Sequence, residues 1–555
     1  MIKLFYDHIQ YQQPDILSFL TVDGSIYHIV SVLHILILLP FSKEGEKMYS
    51  NVKSASVYGI EAKLINVEAD VSDGLPLFTM VGYLASEVKE AKDRVKTALK
   101  NSNYALRPKH ITVNLSPADI RKAGTAFDLP IALACLAASD ILPKEKLENM
   151  LIVGELGLDG KVNRISGVLP ICIAAKQEGI PVVIVPKGNA KEGAVVEGVE
   201  VIGVEDMGDI IEYLLGARDL VPEKCSIDDV LKVSSSEFTE DFADISGQEA
   251  AKRAAEIAVS GQHNILFSGP PGSGKTMLAR RIPGIMPDMS FEDSLEISRI
   301  YSVAGLLSDE QYLITRRPFR SPHHTCTVTS LIGGGMTPKP GEISLAVNGV
   351  LFLDEMPEFG REAIEALRQP LEDRFVTVSR LNATYTYPAG FMLVASMNPC
   401  PCGHYPDRSR CSCTERQIKQ YQRRISQPVL DRIDLCVSVS EIKYDELNSP
   451  QKGESSAAIR ERVMRAREVQ LERYKGMPIS FNSELTGKMT TEYCPLGPEE
   501  KTLMEKAFDK YSLSARGYHR LLKVSRTIAD MAGEKDIKVP HLLEALCYRN
   551  LDFNS

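Results

Sequence analysis

Residues 264–282 read NILFSGPPGSGKTMLARRI, an apolar strand followed by a glycine-rich loop and the start of a helix. The loop, residues 269–276, matches the pattern G-x-x-x-x-G-K-[ST] in the strand–loop–helix context that this motif requires. Glycines let backbone N–H groups close around phosphate oxygens, and the helix amino terminus adds its dipole. We therefore predict a P-loop α/β core. The predicted nucleotide-binding residues are Gly269, Pro270, Pro271, Gly272, Ser273, Gly274, Lys275 and Thr276.

The chemistry expected at this loop is hydrolysis of ATP with Mg²⁺. Lys275 is placed to reach the β- and γ-phosphates, and Thr276 to hold the metal ion. Residues 349–355, GVLFLDE, predict a buried strand that ends in two carboxylates. Asp354 would bind Mg²⁺ and Glu355 would polarise the attacking water. A further apolar strand, FMLVASMNP, ends in Asn398, which would orient that water.

Length and composition fit a multidomain globular protein. At ~150 residues per domain, the 555 residues predict three or four domains. The 44% hydrophobic and 25% charged residues exclude low-complexity disorder, collagen and a disulfide-dense secreted scaffold. The net charge of −9 means that any nucleic-acid contact must come from a local basic patch. Eleven cysteines without a clear secretory pattern favour a reducing, cytoplasmic location.

Apolar periodicity divides the chain into five segments. Residues 48–220 and 244–445 alternate strand and helix patterns, joined by a serine-rich acidic linker at 221–243. Residues 446–555 predict a helical lid of roughly four helices. Residues 1–47 contain an apolar stretch, 25–41, that is shorter than the ~20 residues of a spanning helix. We predict that 1–47 is a non-native or disordered extension before Met48, and that no membrane is involved; a membrane anchor is the alternative.

Four cysteines form a candidate metal site, and two arginines are candidates for the catalytic machinery. Four thiolates within 14 residues would suit tetrahedral Zn²⁺. The C-x-C pairs are tighter than the usual spacing and His404 offers a competing ligand, so reduced thiols in a packed loop are the alternative. The cysteines are Cys400, Cys402, Cys411 and Cys413.

Arg432 lies in PVLDRIDL and Arg516 in LSARGYHR, where the residues alone also fit surface salt bridges.

The motifs GPPGSGKT, LFLDE, SMNP, LDRID and SARG, in this order, resemble the AAA+ ATPases of the magnesium-chelatase branch. The stretches SGQEAAKRAAEIAVSGQHNILFSGPPGSGKT and FRSPHHTCTVTSLIGGG extend this resemblance to the ComM (YifB) subfamily, from Met48 to the carboxyl terminus. The resemblance implies an AAA+ core with a C-terminal helical lid. It also implies that Arg432 is a finger reaching the γ-phosphate of a neighbouring subunit and that Arg516 is a lid-borne sensor. A finger that works in trans implies a ring, and the ComM resemblance implies that the ring is a homohexamer.

The amino-terminal domain resembles the ribosomal-S5-type fold of the Lon protease catalytic domain, through LGLDGKVNRISGVLPICIAAKQEGIPVVIVPKGN. By this resemblance the nucleophilic serine of Lon falls on Ala126 and its lysine on Leu169. Peptidase chemistry would then lack both nucleophile and base. We expect no protease activity, and a binding or ring-scaffolding role instead.

Local basic charge suggests a nucleic-acid contact. Residues 408–424 hold six cations against one acid, Glu415: Arg408, Arg410, Arg416, Lys419, Arg423 and Arg424. A second basic cluster, TRRPFR, spans residues 315–320. The loop at 333–335 and a VTVSRLNATYTY hairpin with Arg380 are candidates to line a ring pore. Phosphate contacts there would be salt-sensitive and independent of base sequence; solvated surface charge is the alternative.

The resemblance and the motifs together predict an ATP-hydrolysing ring motor acting on DNA. The ComM resemblance implies branch migration or a helicase-like role in recombination during natural transformation. The alternative is a chelatase-like ATPase that remodels a protein partner without DNA.

Overall fold

The computed structural model describes residues 48–226, 240–335, 338–380, 383–441, 453–511 and 513–549. The predicted extension 1–47, with its apolar stretch, lies outside these residues. Within them, no helix combines the length and the apolar character needed to cross a membrane.

The described part of the amino-terminal domain contains nine strands, of which seven form one sheet and two form a separate hairpin. The nine strands are β1 (Tyr49–Tyr58), β2 (Glu61–Ser72), β3 (Leu77–Val81), β4 (His110–Ser116), β5 (Met150–Ile152), β6 (Glu155–Leu156), β7 (Val162–Asn163), β8 (Val182–Pro186) and β9 (Glu200–Val204). In β2, buried and more accessible residues alternate, which is the period-2 pattern of a half-buried strand. Seven strands pair in the order β3-β4-β2-β1-β5-β8-β9, with β2 antiparallel to both β1 and β4, while β6–β7 is the separate hairpin.

Helices cover this mixed sheet. They are α1 (Ser86–Lys89), α2 (Ala91–Asn101), α3 (Asp128–Ala138), α4 (Val168–Gln177), α5 (Ala190–Ala194) and α6 (Met207–Leu215). Every residue of α3 is buried, so this helix forms the centre of the domain, as its uninterrupted apolar sequence predicts.

The second domain contains a five-stranded parallel sheet. The strands of the whole second domain are β10 (Ile265–Ser268), β11 (Phe319–Arg320), β12 (Gly333–Gly334), β13 (Lys339–Pro340), β14 (Val350–Leu353), β15 (Phe375–Arg380), β16 (Ala383–Pro388), β17 (Met392–Met397) and β18 (Leu435–Ser438). The parallel order is β11-β14-β17-β10-β18, while β12–β13 and β15–β16 are separate hairpins. Strands β10, β14 and β17 are wholly buried, which explains their continuous apolar runs.

Helices α7 to α15 accompany this sheet. They are α7 (Glu249–Gly261), α8 (Lys275–Ile285), α9 (Phe291–Ala304), α10 (Val328–Ile332), α11 (Glu342–Leu345), α12 (Arg361–Ala366), α13 (Arg368–Asp373), α14 (Glu415–Gln422) and α15 (Gln427–Leu430). The mixed α/β amino-terminal domain and the P-loop core confirm the predicted fold class.

The carboxyl-terminal lid is helical, as predicted, but the described residues contain five helices rather than four. They are α16 (Ser456–Arg473), α17 (Gly487–Tyr493), α18 (Pro498–Lys510), α19 (Ala515–Met531) and α20 (Val539–Cys547). The additional helix is α17. It buries only Thr490 and therefore has no apolar periodicity that the sequence could reveal.

The end of the predicted linker 221–243 belongs to the folded core. Phe242 is fully buried, and its backbone N–H donates to Ser456 Oγ of the lid at 2.9 Å. Asp241 caps the short helix Phe242–Asp244 and also accepts from the Ser456 backbone N–H at 2.8 Å. The second domain therefore begins before the predicted boundary at residue 244, and residues 227–239 lie outside the described residues.

A buried hydrogen-bonded seam joins the two α/β domains. The Gly167 backbone N–H, at the start of α4, donates to the Ser302 carbonyl of α9 at 3.0 Å. Ser302 Oγ donates to Glu192 Oε1 at 2.5 Å, and the Leu169 N–H donates to the same oxygen at 3.1 Å. Glu192 is only 2% exposed. Leu313 completes the apolar core of the amino-terminal domain from the other side of the seam. The domains are therefore packed against each other.

Candidate active site

The phosphate-binding loop lies at the carboxyl end of the central strand β10, and α8 begins at its Lys275. Gly272 (φ +76°) and Gly274 (φ +90°) adopt the left-handed conformation that favours glycine. Ser273 is 1% exposed, and its Oγ has no hydrogen-bond partner among the described residues. A buried, unpaired hydroxyl beside a helix amino terminus fits a loop built to surround phosphate.

Lys275 is held inside this loop. Its Nζ donates to the Gly269 carbonyl at 2.7 Å, to the Pro270 carbonyl at 2.8 Å and to Asn398 Oδ1 at 3.2 Å. Burial lowers the pKa of Lys275, while Asp354 and Glu355 act in the opposite direction. The structure therefore brings the predicted lysine and the predicted water-orienting asparagine together, at the ends of adjacent strands.

Two predicted metal ligands meet at the same edge of the sheet. Thr276 Oγ1 donates to Asp354 Oδ2 at 2.9 Å. The other carboxylate oxygen of Asp354 accepts from the hydroxyl of Ser396, which is fully buried on β17. A hydroxyl and a carboxylate are oxygen donors of the kind that Mg²⁺ prefers, so Thr276 and Asp354 fit the predicted ion.

Glu355 has an unusual backbone. Its φ of +52° and ψ of +48° lie in the left-handed region, which costs a residue other than glycine on the order of 1–3 kcal/mol. The backbone N–H of Glu355 donates to Ser396 Oγ at 3.0 Å, and this hydrogen bond stabilises the left-handed conformation. Ser396 thus holds both acidic residues that follow β14.

The two predicted arginines lie together at the opposite edge of the sheet. Asn264, just before β10, donates through Nδ2 to the Arg432 carbonyl at 2.9 Å. Glu372 forms ion pairs with both arginines, contacting Arg432 Nη2 with Oε2 and Arg516 Nη2, at 3.1 Å, with Oε1. All four residues line a cavity of about 550 Å³ that no residue of the phosphate-binding loop lines. The structure therefore brings the arginines to each other and not to the loop.

Comparison with known proteins identifies the family. The family described as magnesium chelatase, subunit ChlI, matches residues 241–447, and its C-terminal counterpart matches residues 453–549. A third description, subunit ChlI of Mg-chelatase, matches residues 67–189. Competence protein ComM of Haemophilus influenzae is 44% identical over 501 residues, which cover 90% of this chain and 97% of that protein. The chain belongs to the ComM/YifB family of magnesium-chelatase-like AAA+ ATPases.

Members of this family share nearly the whole chain. YifB of Escherichia coli is 42% identical over 504 residues, 91% of this chain and 97% of that protein. Membership in the AAA+ class implies an ATPase that uses ATP and Mg²⁺, and the residues around Lys275 and Asp354 fit both.

The amino-terminal domain of this ComM/YifB-family chain is similar to Lon. Lon protease of Brevibacillus choshinensis is 25% identical over 172 residues, 29% of this chain and 22% of that protein. Ala126, at the position assigned to the Lon serine, lines a cavity of about 340 Å³ with Thr125 and Glu155. Leu169, at the position assigned to the lysine, is fully buried, and its N–H takes part in the domain seam. The absence of peptidase activity stays a prediction.

The four cysteines converge on one point. Their Sγ atoms all lie within 4.8 Å of one another, and the group does not include His404. The Cys400–Cys402 distance is 3.3 Å, Cys400–Cys411 is 3.7 Å and Cys402–Cys411 is 3.6 Å. Tetrahedral Zn²⁺ with Zn–S bonds of ~2.3 Å requires S–S separations of about 3.8 Å. A hydrogen bond from the His404 backbone, with others from neighbouring thiols, lowers the pKa of Cys402 to about 6, whereas the pKa values of Cys411 and Cys413 are raised, so the fit to Zn²⁺ rests on the sulfur spacing. The thiols therefore fit Zn²⁺.

The cysteine loop touches the nucleotide site. Gly403 (φ +85°) packs against the ring of Pro271, so closely that a Cβ at 403 would lie 2.4 Å from Pro271 Cδ. Pro399 follows Asn398, and its carbonyl accepts from Gln422 Nε2 of α14 at 3.2 Å. The loop thus connects the phosphate-binding loop with α14.

The basic segment has fewer unpaired cations than its sequence indicates, because three of its six cations form ion pairs, one with Glu415 of the segment and two with acids outside it. Arg408 pairs with Glu415, Arg410 with Glu441 and Arg424 with Glu358. The other three cations are exposed and form no ion pair within the described part of the chain. We call them the α14 stripe: Arg416, Lys419 and Arg423. Their spacing places them on one face of α14 and its final turn.

The second basic cluster is largely structural. Arg317 donates to the Pro287 and Asn348 carbonyls, each at 2.7 Å, and Arg320 pairs with both carboxylate oxygens of Glu342. These two arginines therefore have partners within the protein, and a nucleic-acid contact of this cluster stays a prediction. Arg380 ends β15 in the predicted hairpin, and its side chain lies outside the described residues. The pore-lining role of Arg380 and of the 333–335 loop stays a prediction.

Sequence analysis missed two residues that organise the site, Ser396 and Glu372. Ser396 is polar within an otherwise apolar strand, and this signal could have identified it. Glu372 lies in a charged stretch, LEDR, that resembles any exposed helix end. Only the fold shows that it meets Arg432 and Arg516.

Proposed function

We propose that the protein is an ATP-hydrolysing ring motor of the ComM type that acts on DNA. The observation that carries the proposal is the separation of the catalytic groups between the two edges of one sheet. Lys275, Thr276, Asp354 and Glu355 lie at the carboxyl edge, whereas Arg432 lies at the amino edge beside Asn264. Strand β10 has four residues, which at ~3.3 Å each separate the edges by roughly 13 Å.

This separation supports action between subunits. Arg432 would have to cross the sheet to reach a phosphate bound at its own Lys275. A second copy can instead present its nucleotide to the cavity lined by Arg432 and Arg516. Because the donating and receiving surfaces differ, the contact is head-to-tail, and contacts of this type form a ring when the rotation between neighbours closes. We propose a homohexamer in which both arginines stabilise the charge that develops on the γ-phosphate of the neighbour.

Hydrolysis in one subunit follows from the groups at the carboxyl edge. Lys275 and the loop N–H groups would bind the β- and γ-phosphates, and Thr276 with Asp354 would hold Mg²⁺. Glu355 would accept the proton of the attacking water, and Asn398 would orient that water. Mg²⁺ would neutralise charge on the phosphate oxygens.

The α14 stripe supports DNA as the substrate. Its three unpaired cations suit a phosphate backbone, which carries closely spaced negative charges and is read without base preference. α14 begins directly after the cysteine cluster and is tied to Pro399, next to Asn398. A change at the γ-phosphate therefore has a short covalent and hydrogen-bonded path to the stripe.

The test is whether DNA stimulates ATP hydrolysis by the full-length protein. Single-stranded, duplex and forked DNA should each raise turnover at low salt, and a forked substrate should be resolved only with hydrolysable ATP. If no DNA form changes turnover, the motor proposal fails and the remodelling of a protein partner becomes the leading function.

We further propose that Cys400, Cys402, Cys411 and Cys413 hold one structural Zn²⁺. The sulfur spacing supports a closed four-thiolate site without an open position, which is the form of structural zinc. The metal would fix the loop between Asn398 and α14. The amino-terminal domain would act as a scaffold of the ring.

A further inference from the structure

Glu372 forms the link between the two arginines. It lies near the end of α13, and each of its carboxylate oxygens contacts a different guanidinium group. The side chain of Glu372 is 49% exposed, so the carboxylate sits at the mouth of the 550 Å³ cavity rather than inside the protein. One partly exposed acid therefore neutralises part of the charge of both arginines.

Both terminal nitrogens of Arg432 already have a partner within the protein. Its Nη1 donates to the Pro428 carbonyl at 2.6 Å, and its Nη2 contacts Glu372. Its Nε is buried and has no partner among the described residues. Of these contacts only the one with Glu372 is partly exposed. A phosphate that approaches Arg432 from the cavity therefore meets the Glu372 carboxylate first.

We propose that Glu372 is a displaceable counter-ion, which occupies the two arginines until the γ-phosphate of a neighbouring subunit's nucleotide replaces it. This inference rests on the proposed trans action of Arg432. A guanidinium group binds carboxylate and phosphate oxygens with the same fork of N–H donors, so the two anions compete. Glu372 would be a positioning residue and would not touch the reacting atoms.

The exchange gives the site a preference for the triphosphate. A γ-phosphate carries more charge than the carboxylate and can displace it. After hydrolysis and phosphate release, Glu372 returns to the arginines and the subunits separate more easily. Because an exposed ion pair contributes little, the exchange costs little and is reversible.

The experiment compares Glu372→Gln with the wild-type protein in steady-state ATPase assays, at protein concentrations where the ring is assembled. The amide keeps the shape but removes the competing charge. The apparent KM for ATP should fall about twofold to fivefold while kcat is retained. Glu372→Asp keeps the charge and should keep the wild-type KM. Glu362→Gln, on the exposed face of α12, is the matched control for one lost negative charge and should change neither constant.

Other outcomes would overturn the inference. An unchanged or raised KM in Glu372→Gln means that the carboxylate does not compete with phosphate. A loss of kcat at unchanged KM means that Glu372 only holds the arginines in place. The Arg432→Ala variant separates this inference from the proposed function. If Arg432→Ala hydrolyses ATP normally, the trans mechanism fails. If that variant is inactive and Glu372→Gln keeps the wild-type KM, only the counter-ion role fails.

Discussion

Asn264 Nδ2 donates to the Arg432 carbonyl at 2.9 Å, and this bond fixes Arg432 at the end of β10 opposite to the phosphate-binding loop. The Asn264 backbone N–H also donates to Asp434 Oδ2 at 3.0 Å, so the segment before β18 is attached twice. The position of Arg432 therefore depends on the parallel sheet itself and not on a mobile loop.

The first prediction concerns action in trans. Rings of Arg432→Ala chains alone and of Lys275→Ala chains alone should be inactive. Mixed rings should recover part of the activity, because an intact Lys275 site can then face an intact Arg432. ATPase activity measured across mixing ratios checks this, with mass spectrometry to verify that the rings are mixed. The absence of any recovery in verified mixed rings would contradict the trans assignment.

The second prediction separates binding from hydrolysis at the carboxyl edge. Glu355→Gln should bind ATP and lose hydrolysis, because the attacking water loses its base. Lys275→Ala should lose nucleotide binding, because the phosphates lose their charged partner. Binding of a fluorescent ATP analogue and phosphate release should be measured together. Near wild-type turnover in Glu355→Gln would exclude the proposed role of this carboxylate.

The third prediction concerns Ser396. Ser396→Ala removes the donor to Asp354 and the acceptor for the Glu355 N–H, so both acids lose their orientation. Loss of a buried hydrogen bond to a charged group costs ~1.5–3 kcal/mol, which predicts a kcat lowered about tenfold to a hundredfold. Ser344→Ala is a matched control, since Ser344 is equally buried and its hydroxyl has no partner among the described residues. Equal turnover in the two variants would exclude the role of Ser396.

The fourth prediction concerns DNA. Reversal of the α14 stripe, Arg416→Glu with Lys419→Glu and Arg423→Glu, should abolish stimulation by DNA and leave basal hydrolysis intact. The wild-type stimulation should fall steeply with salt, because phosphate contacts release counterions. A triple reversal at Lys92, Lys96 and Lys100, on exposed positions of α2, makes the same change in net charge elsewhere. Equal loss in both variants would show a net-charge effect rather than a contact at α14.

The fifth prediction concerns the metal. Elemental analysis of protein purified without chelators should find about one zinc per chain, which a Cys400→Ser/Cys413→Ser variant should lose. The same variant should melt at a lower temperature, because the loop between Asn398 and α14 loses its cross-link. Cys326→Ser, outside the cluster, should keep the metal. Metal-free wild-type protein would rule out the site.

The parts of the site that the sequence predicts are those whose residues are adjacent in the chain. The functional residues of the loop at 269–276 lie within a few positions of one another, and so do Asp354 and Glu355. Each group follows an apolar strand, and the apolar run of that strand predicts where the group lies. The fold class follows from the same apolar runs. The contacts that decide the rest join distant segments. Glu372 meets Arg516 across 144 residues, and Arg424 meets Glu358 across 66. No local pattern encodes such a pairing, because it depends on how the strands and helices are packed.

For the same reason, the number of charged residues in the basic segment does not predict how many of its cations are free to bind a partner. Within residues 408–424 the cations outnumber the acids, but Glu358 and Glu441 come from outside that window. The cysteine cluster was predictable as a group, whereas the convergence of its four sulfurs depends on how the loop between Cys402 and Cys411 folds back.

The seam at Ser302 and Glu192 determines the mechanical behaviour of the subunit. Ser302 stands at the last turn of α9, and its partners in the amino-terminal domain are buried, so separating them would leave polar groups without hydrogen bonds at ~1–3 kcal/mol each. We therefore expect the amino-terminal domain to follow a tilt of α9. A small rotation of the ATPase core would be enlarged into a greater displacement at the far side of the seven-stranded sheet. The amino-terminal face of a ring would then widen and narrow with each turnover.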